Sequence, residues 1–354
     1  MKAQSILLTF LFALLFNTLS SAQGQHDVNH DAHTTAEKDI KTEIKEFIDH
    51  HLQDTHDFHL TKGVSFPLPV ILWDNGLQLF SSSKLHHGEV VAEHNKNYYK
   101  LYHGKIYKTD SEGTIRYDNL HHVINEKPID FSITKNVSFI LIVSLLMMWM
   151  FSRMAKSYKT NLLPKGIGRF LEPIILYVRD DIARPNIGEK HYKRYMSFLL
   201  TVFFFIWIIN LFGLTPLGVN VTNNIAVTLS LAIMTYLITT FTANKHYWNH
   251  IFWMPGVPAP MRVILAPIEL LGTIIKPFSL MIRLYANITA GHVVLMSIIG
   301  LMFIFKNWIG SPLSFGLAFA LALLELLVAA LQAYIFTMLS ALYFGSAVEE
   351  HHDH

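Results

Sequence analysis

From residue 196 to residue 243 the chain runs 48 positions without one Asp, Glu, Lys, Arg or His. About 20 apolar residues already cross a hydrocarbon core as a helix, so this run belongs in a membrane. Thr215-Pro216-Leu217-Gly218 interrupts it. It therefore reads as two spans, about 195–214 and 222–243, joined on the outer side. Asn210, Asn223 and Asn224 are its polar exceptions. Hydrogen bonding between helices is their default role. A place in an aqueous access path is the alternative for Asn224 and, more weakly, for Asn210.

The same pattern continues on both sides. A first span covers about 134–152 and ends at Arg153. Residues 153–194 then carry ten Lys or Arg, which by the positive-inside rule puts them in the cytoplasm. Within them, Phe170 to Val178 is apolar but short, and reads as an amphipathic helix on the membrane surface. Lys245 to Arg262 returns to the cytoplasm with the turn formers Pro255, Gly256, Pro258 and Pro260. Two long apolar segments remain, 263–304 and 312–346. The first would exceed about 60 Å if continuous, twice a hydrocarbon core, so it must be tilted, kinked near Pro267 or Pro277, or both. The fold class is an all-α polytopic membrane protein with about five transmembrane helices and one surface helix. Its last two helices form a long, tilted hairpin. The membrane domain is 134–348, and the tail 349–354 lies in the cytoplasm.

The N-terminal third differs in character. Lys2, an apolar core from Ile6 to Leu19 and the small residues Ser20-Ser21-Ala22 form an export signal over 1–22. The alternative is a first membrane helix that stays attached. Export places residues 23–133 outside the inner membrane of a bacterium, as a small β-containing domain. A short charged helix is expected over 36–54, and strands at Tyr98–Tyr102 and Ile106–Tyr107 about a His103-Gly104 turn. Asp110 to Gly113 makes another turn. Residues 23–135 hold 13 of the 20 histidines, irregularly spaced and without cysteine partners. They read as solvated side chains rather than metal ligands. No cofactor is expected. A formal charge of +2 is too small to point to nucleic acid. With no cysteine, disulfides and thiolate chemistry are excluded.

The function lies in the polar residues at membrane depth. Arg283 sits inside the apolar stretch Pro277 to His292, far from either end. A guanidinium there costs roughly 2.5–3.5 kcal/mol even on lenient insertion scales, and it cannot shed its proton to escape. Glu269, Lys276 and Arg283 recur every seven residues, so they share a helical stripe, which Asn287 joins four residues on. Interfacial charges near the headgroups are an equal alternative for Glu269 and Lys276. His292 lies on the opposite face, about 13 Å beyond Arg283. If the two long segments fold back at Lys306–Pro312, the midpoints of His292/Glu325 and of Arg283/Gln332 both fall between 307 and 309. Each pair then shares one depth, the His/Glu layer on the outer side and Glu269 toward the cytoplasm. An imidazole and a carboxylate in a wet slot can exchange protons. A permanent cation cannot pass one on, but it attracts a carboxylate carried past it and favours its ionised form. Two offset half-paths result, useful only if a moving partner carries the proton round the gap. Static alternatives are a structural His292–Glu325 hydrogen bond, or Arg283 paired with Glu269 or Glu325.

At these residues the chain closely resembles the subunit a family of the F-type ATP synthase membrane sector. The resemblance rests on Pro267-Ile-Glu269, on Lys276-Pro277 through Arg283-Leu-Tyr-Ala-Asn287 to His292, and on Glu325 followed by Leu331-Gln332-Ala-Tyr-Ile-Phe336. It covers about 135–348, including Asn210 to Pro216 and Val227 to Ser230, and leaves out 23–130. It implies that Arg283 is the arginine facing a ring of c subunits. Glu269, Asn287, His292, Glu325 and Gln332 match channel-lining positions. The best-known bacterial members hold a carboxylate and a histidine in the reverse order at 292 and 325, whereas this chain has the arrangement of mitochondrial forms. Asn224 stands where some members have Asp. Asn224, Asn210 and Lys276 are then possible access-path residues. The implied partners are the c ring, b-type peripheral stalk subunits, the rest of the synthase and membrane lipid. The implied function is a non-catalytic stator subunit with two half-channels separated by Arg283, coupling proton flow to ring rotation and ATP synthesis. A secondary transporter would need a central substrate pocket and usually internal repeats, and no repeat is found. A purely structural anchor would leave ion flux intact when Arg283 loses its charge.

Overall fold

The computed structural model describes residues 54–349 apart from 62–63, 89, 120–121, 161–165, 216–218, 220, 255–256 and 305–309. The export signal, the expected helix over 36–54 except its last residue, the break at Pro216, the Pro255-Gly256 turn, most of the hairpin turn and the end of the tail lie outside the described residues.

Among the described residues, short strands build the outer domain. They are β1 (Asp57–Thr61), β2 (Val64–Pro67), β3 (Pro69–Trp73), β4 (Leu77–Ser81), β5 (Ala92–His94), β6 (Asn97–Tyr102), β7 (Lys105–Thr109) and β8 (Ile129–Asp130). They pair antiparallel as β1-β2, β4-β3-β8 and β5-β6-β7. Strands β3 and β4 alternate: Val70, Leu72, Gln78 and Phe80 point inward while Trp73, Leu77 and Leu79 are exposed. Val70, Leu72, Phe80, Leu85, Tyr99 and Ile106 form one small core. The expected β6–β7 hairpin is present, closed by His103 and Gly104 with φ of 46° and 73°, the left-handed pair that a tight hairpin turn needs. The turn ending at Gly113 is also there, its amide donating to Asp110 O at 3.0 Å. One expectation is corrected. His56 is not solvated: it is buried, with Nε2 3.3 Å from Asp130 Oδ2. This contact ties the first strand's approach to the last strand, at the point where the chain enters the membrane part.

The membrane part is helical. It comprises α1 (Lys135–Thr160), α2 (Ile167–Tyr177), α3 (Arg184–Ile187), α4 (Tyr192–Gly213), α5 (Ile225–Thr242), α6 (Lys245–Phe252), α7 (Ala259–Ile304) and α8 (Gly310–Val348). Helices α1, α4, α5, α7 and α8 are each long and apolar enough to cross a membrane. At 46 and 39 residues, α7 and α8 measure about 69 Å and 58 Å, and Pro267 and Pro277 lie inside α7. Such lengths fit a hydrocarbon core of about 30 Å only with strong tilt or protrusion.

The expected surface helix corresponds to α2, where Phe170 and Tyr177 remain exposed. Its continuation carries no sequence signal. A π-helical stretch, Val178–Ala183, leads into α3 with Val178, Ile182 and Ala183 wholly buried. Asn186 Nδ2 on α3 reaches Met338 Sδ on α8 at 3.3 Å, so this segment docks into the bundle. Arg179 and Arg184 both hydrogen-bond Asp180, at 2.9 and 2.8 Å, and the Arg179 bond is the main reason the Asp180 carboxyl is held below its usual range. The far end of α8 is capped by Asn244, whose amide donates to Ala347 O at 2.8 Å and whose Nδ2 donates to Val348 O at 3.1 Å. Tyr195 stacks on Phe344 at 4.6 Å and donates its hydroxyl to Thr242 Oγ1 at 2.7 Å, joining α4, α5 and α8.

Candidate functional site

Helices α7 and α8 pack along one another, and α4 lies against α8. Near the turn end of this hairpin, Asn210 of α4, Asn287 and His292 of α7 and Glu325 of α8 line one cavity of about 70 Å³. The depth match between His292 and Glu325 expected from the sequence therefore holds. Both side chains are 8% exposed. Glu325 Oε2 and Asn210 Nδ2 are buried without a hydrogen-bond partner among the described residues. Buried polar atoms of this kind are satisfied by ordered water, and a polar cavity of this size holds a few molecules. Room for the carboxylate comes from Gly291, which lies within the stretch that carries the family resemblance but had no role assigned from sequence: a Cβ there would lie 2.7 Å from Glu325 Oε1. Gly213 of α4 adjoins the same site, but a Cβ there would meet His292 Nε2 at 3.6 Å, an ordinary van der Waals contact.

A second, larger cavity of about 630 Å³ opens at the other end of α7. Glu269, Thr273 and Lys276 line it from α7, with His246, Tyr247 and His250 from α6. The Lys276 ammonium lies over the Tyr343 ring, 5.5 Å from its centroid. Burial is the main cause that pushes the Tyr247 hydroxyl above its ordinary range. The α6 residues carried no signal in the sequence beyond an ordinary polar loop.

Arg283 lies between the two cavities along α7, about 10 Å from Lys276 and 13 Å from His292. It is half-buried and, among the described residues, makes no ion pair or hydrogen bond. It is thus not locked into a static pair with Glu269 or Glu325. Asn287, on the same stripe, is exposed, whereas Gln332 on α8 is buried.

The asparagines part company. Asn210 Oδ1 accepts from Thr222 Oγ1 at 2.9 Å. Asn223 Oδ1 accepts from Thr289 Oγ1 of α7, the interhelical role expected by default. Asn224 caps α5, its Oδ1 accepting from Ala226 N at 2.9 Å. Its Nδ2 donates to Asp54 Oδ2 at 3.4 Å. Among the described residues, no group of three or more His, Asp or Glu is arranged to hold a metal ion.

Comparison with known proteins bears on the same segments. The family described as ATP synthase A chain matches residues 137–345. A family described only as a domain of unknown function matches residues 47–131. The chain is 40% identical over 261 residues to ATP synthase subunit a of Chloroherpeton thalassium, covering 67% of this chain and 78% of that one. It is 42% identical over 234 residues to ATP synthase subunit a 2 of Chlorobaculum tepidum, covering 64% and 66%. It is 41% identical over 232 residues to ATP synthase subunit a of Myxococcus xanthus, covering 64% and 76%.

Proposed function

The chain belongs to the ATP synthase A chain family, and we propose that its two cavities are offset half-channels serving a carboxylate on a rotating c ring. It is a proton-translocating membrane subunit of ATP synthase and performs no ATP chemistry itself. Protons arriving from the outer side reach the His292/Glu325 cavity. An imidazole and a carboxylate in that small polar space take up a proton and release it to the ring carboxylate. After nearly a full turn of the ring, the proton leaves through the cavity lined by Glu269.

Arg283 keeps the two halves apart. Its guanidinium cannot act as a relay, and its charge favours the ionised form of a carboxylate passing between the cavities. The observation that carries this reading is the position of Arg283: half-buried, unpaired among the described residues, and between two polar cavities on one helix. Gln332 of α8 is buried, and the residue order sets it at the depth of Arg283. The orientation has the outer domain beyond the inner membrane of a bacterium and the end of α8 in the cytoplasm. The b-type stalk subunits hold the chain still while the ring turns.

The test is Arg283→Ala in membranes, with ATP-driven proton pumping compared against assembly of the complex. Assembled complexes that no longer pump are expected. Assembled complexes pumping at the parental rate would overturn the reading.

A further inference from the structure

Three consecutive side chains at the start of α5 reach three different elements. Thr222 donates to Asn210 of α4 at 2.9 Å, and Asn210 lines the His292/Glu325 cavity. Asn223 accepts from Thr289, which stands on α7 three residues before His292. Asn224 donates to Asp54, at the base of the outer domain, at 3.4 Å. One polar turn thus runs from the cavity to a carboxylate that belongs to another part of the chain.

Asp54 is half-buried, so it meets both the turn and the outer water. Its position is fixed from the membrane side: Oδ1 accepts from Asn136 N at 3.1 Å and Oδ2 from Thr134 Oγ1 at 3.0 Å. The next residue locks the same junction, Thr55 O accepting from Lys135 N at 2.9 Å. Lys135 is within electrostatic reach of Asp54, and His56 is engaged with Asp130. A carboxylate held at the outer end of a polar turn, near the membrane surface, raises the local proton concentration as focused charge does for any cation.

We propose that Asp54 is the outermost acid of the proton uptake path, supplied by the outer domain and joined to the His292/Glu325 cavity through the 222–224 turn. Its carboxylate accepts a proton from outer water. It then releases that proton to water ordered along Thr222, Asn223 and Thr289, from which His292 or Glu325 takes it. No other group changes its bonding.

This rests on the half-channel reading above, and the experiment separates the two. Complete synthase carrying each variant is reconstituted in liposomes, and the rate of proton-driven ATP synthesis is normalised to assembled complex. Asp54→Asn is expected to lower the rate about tenfold. Asp54→Asn combined with Asn224→Asp puts the carboxylate back within the same contact and is expected to recover at least half of the loss. Asp130→Asn weakens the His56 contact at the same junction and leaves the hydrogen bonds of Asp54 in place, and is expected to retain the parental rate. Asp54→Asn at the parental rate would overturn the proposal. So would a loss that the relocated acid fails to recover, or a loss that Asp130→Asn reproduces. Arg283→Ala in the same assay is the control: synthesis that survives it sinks the half-channel reading itself, whereas its loss alongside a fully active Asp54→Asn sinks this inference alone.

Discussion

Glu325 lies against the backbone of Gly291, so close that a Cβ at 291 would stand 2.7 Å from Oε1. The missing side chain is what lets the carboxylate lie beside α7, one position before His292. The atom in the way is the tip of a flexible side chain, so Gly291→Ala displaces the carboxylate rather than the helix. Assembly is expected to persist while proton flux falls about tenfold. Flux through inverted vesicles, normalised to assembled complex, checks this, and unchanged flux would show that the carboxylate need not lie there.

His292 and Glu325 share one cavity, so the pair matters more than which helix carries which member. Glu325→Gln is expected to slow proton flux by about 100-fold, the lower range for losing a positioned acid or base. His292→Glu with Glu325→His restores one acid and one imidazole to the same space. That double variant should exceed either single change in pumping rate. A double variant slower than both would mean that position, not composition, sets the path.

Gly345 tests packing rather than chemistry. A Cβ there would overlap the backbone of Asn186 on α3, and backbone cannot swing aside as a side-chain tip can. Gly345→Ala should undock the 178–187 segment from α8, at a cost of about 1–3 kcal/mol. The expected result is less assembled complex at unchanged flux per complex, read by blotting of native gels beside pumping assays.

The outer domain should be acid-sensitive through one buried carboxylate. Lys108 Nζ lies 2.8 Å from Asp74 Oδ2, and the Tyr99 hydroxyl donates to the same oxygen at 2.9 Å. The Lys108 hydrogen bond is the main cause that holds the Asp74 carboxyl below its usual range. A lowered folded value contributes stability that is present above about pH 4 and lost as pH falls through it. Burial, then Asp74, pushes Tyr99 up to about 12, so the neutral phenol contributes stability that is lost as pH rises from about 10 toward 12. Hydrogen exchange of peptides from 69–109 in the full chain should rise at both extremes. In Asp74→Asn the acid-side rise should shrink, and an unchanged rise would place the acid sensitivity elsewhere, with Asp130, also held below its usual range, as the next candidate.

The alignment of the hairpin is legible in the residue order because helices in lipid are long, few and unbroken by loops. Equal offsets from a turn mean equal depth, and His292 and Glu325 duly line one cavity. The same arithmetic has nothing to say about the third wall, which α4 supplies with Asn210, or about the emptiness at Gly291. His56 shows the opposite case. Its neighbours resemble a solvated polar segment, yet it is buried against Asp130, a residue 74 positions away. No local pattern announces a partner that distant.

Residue order alone pointed to five helices long and apolar enough to cross a membrane, to the start of each within four residues, and to the charged residues inside them. The reason is that transfer from water to hydrocarbon is a local property, summed over about 20 residues. Packing settled the rest: that Asn210 joins His292 and Glu325, that 178–187 docks on α8, and that Asp54 meets Asn224 across 170 positions. Lipid is as apolar as the helices it surrounds, so it gives no preference for one lateral neighbour over another. Side-chain fit and a few hydrogen bonds between distant segments make that choice.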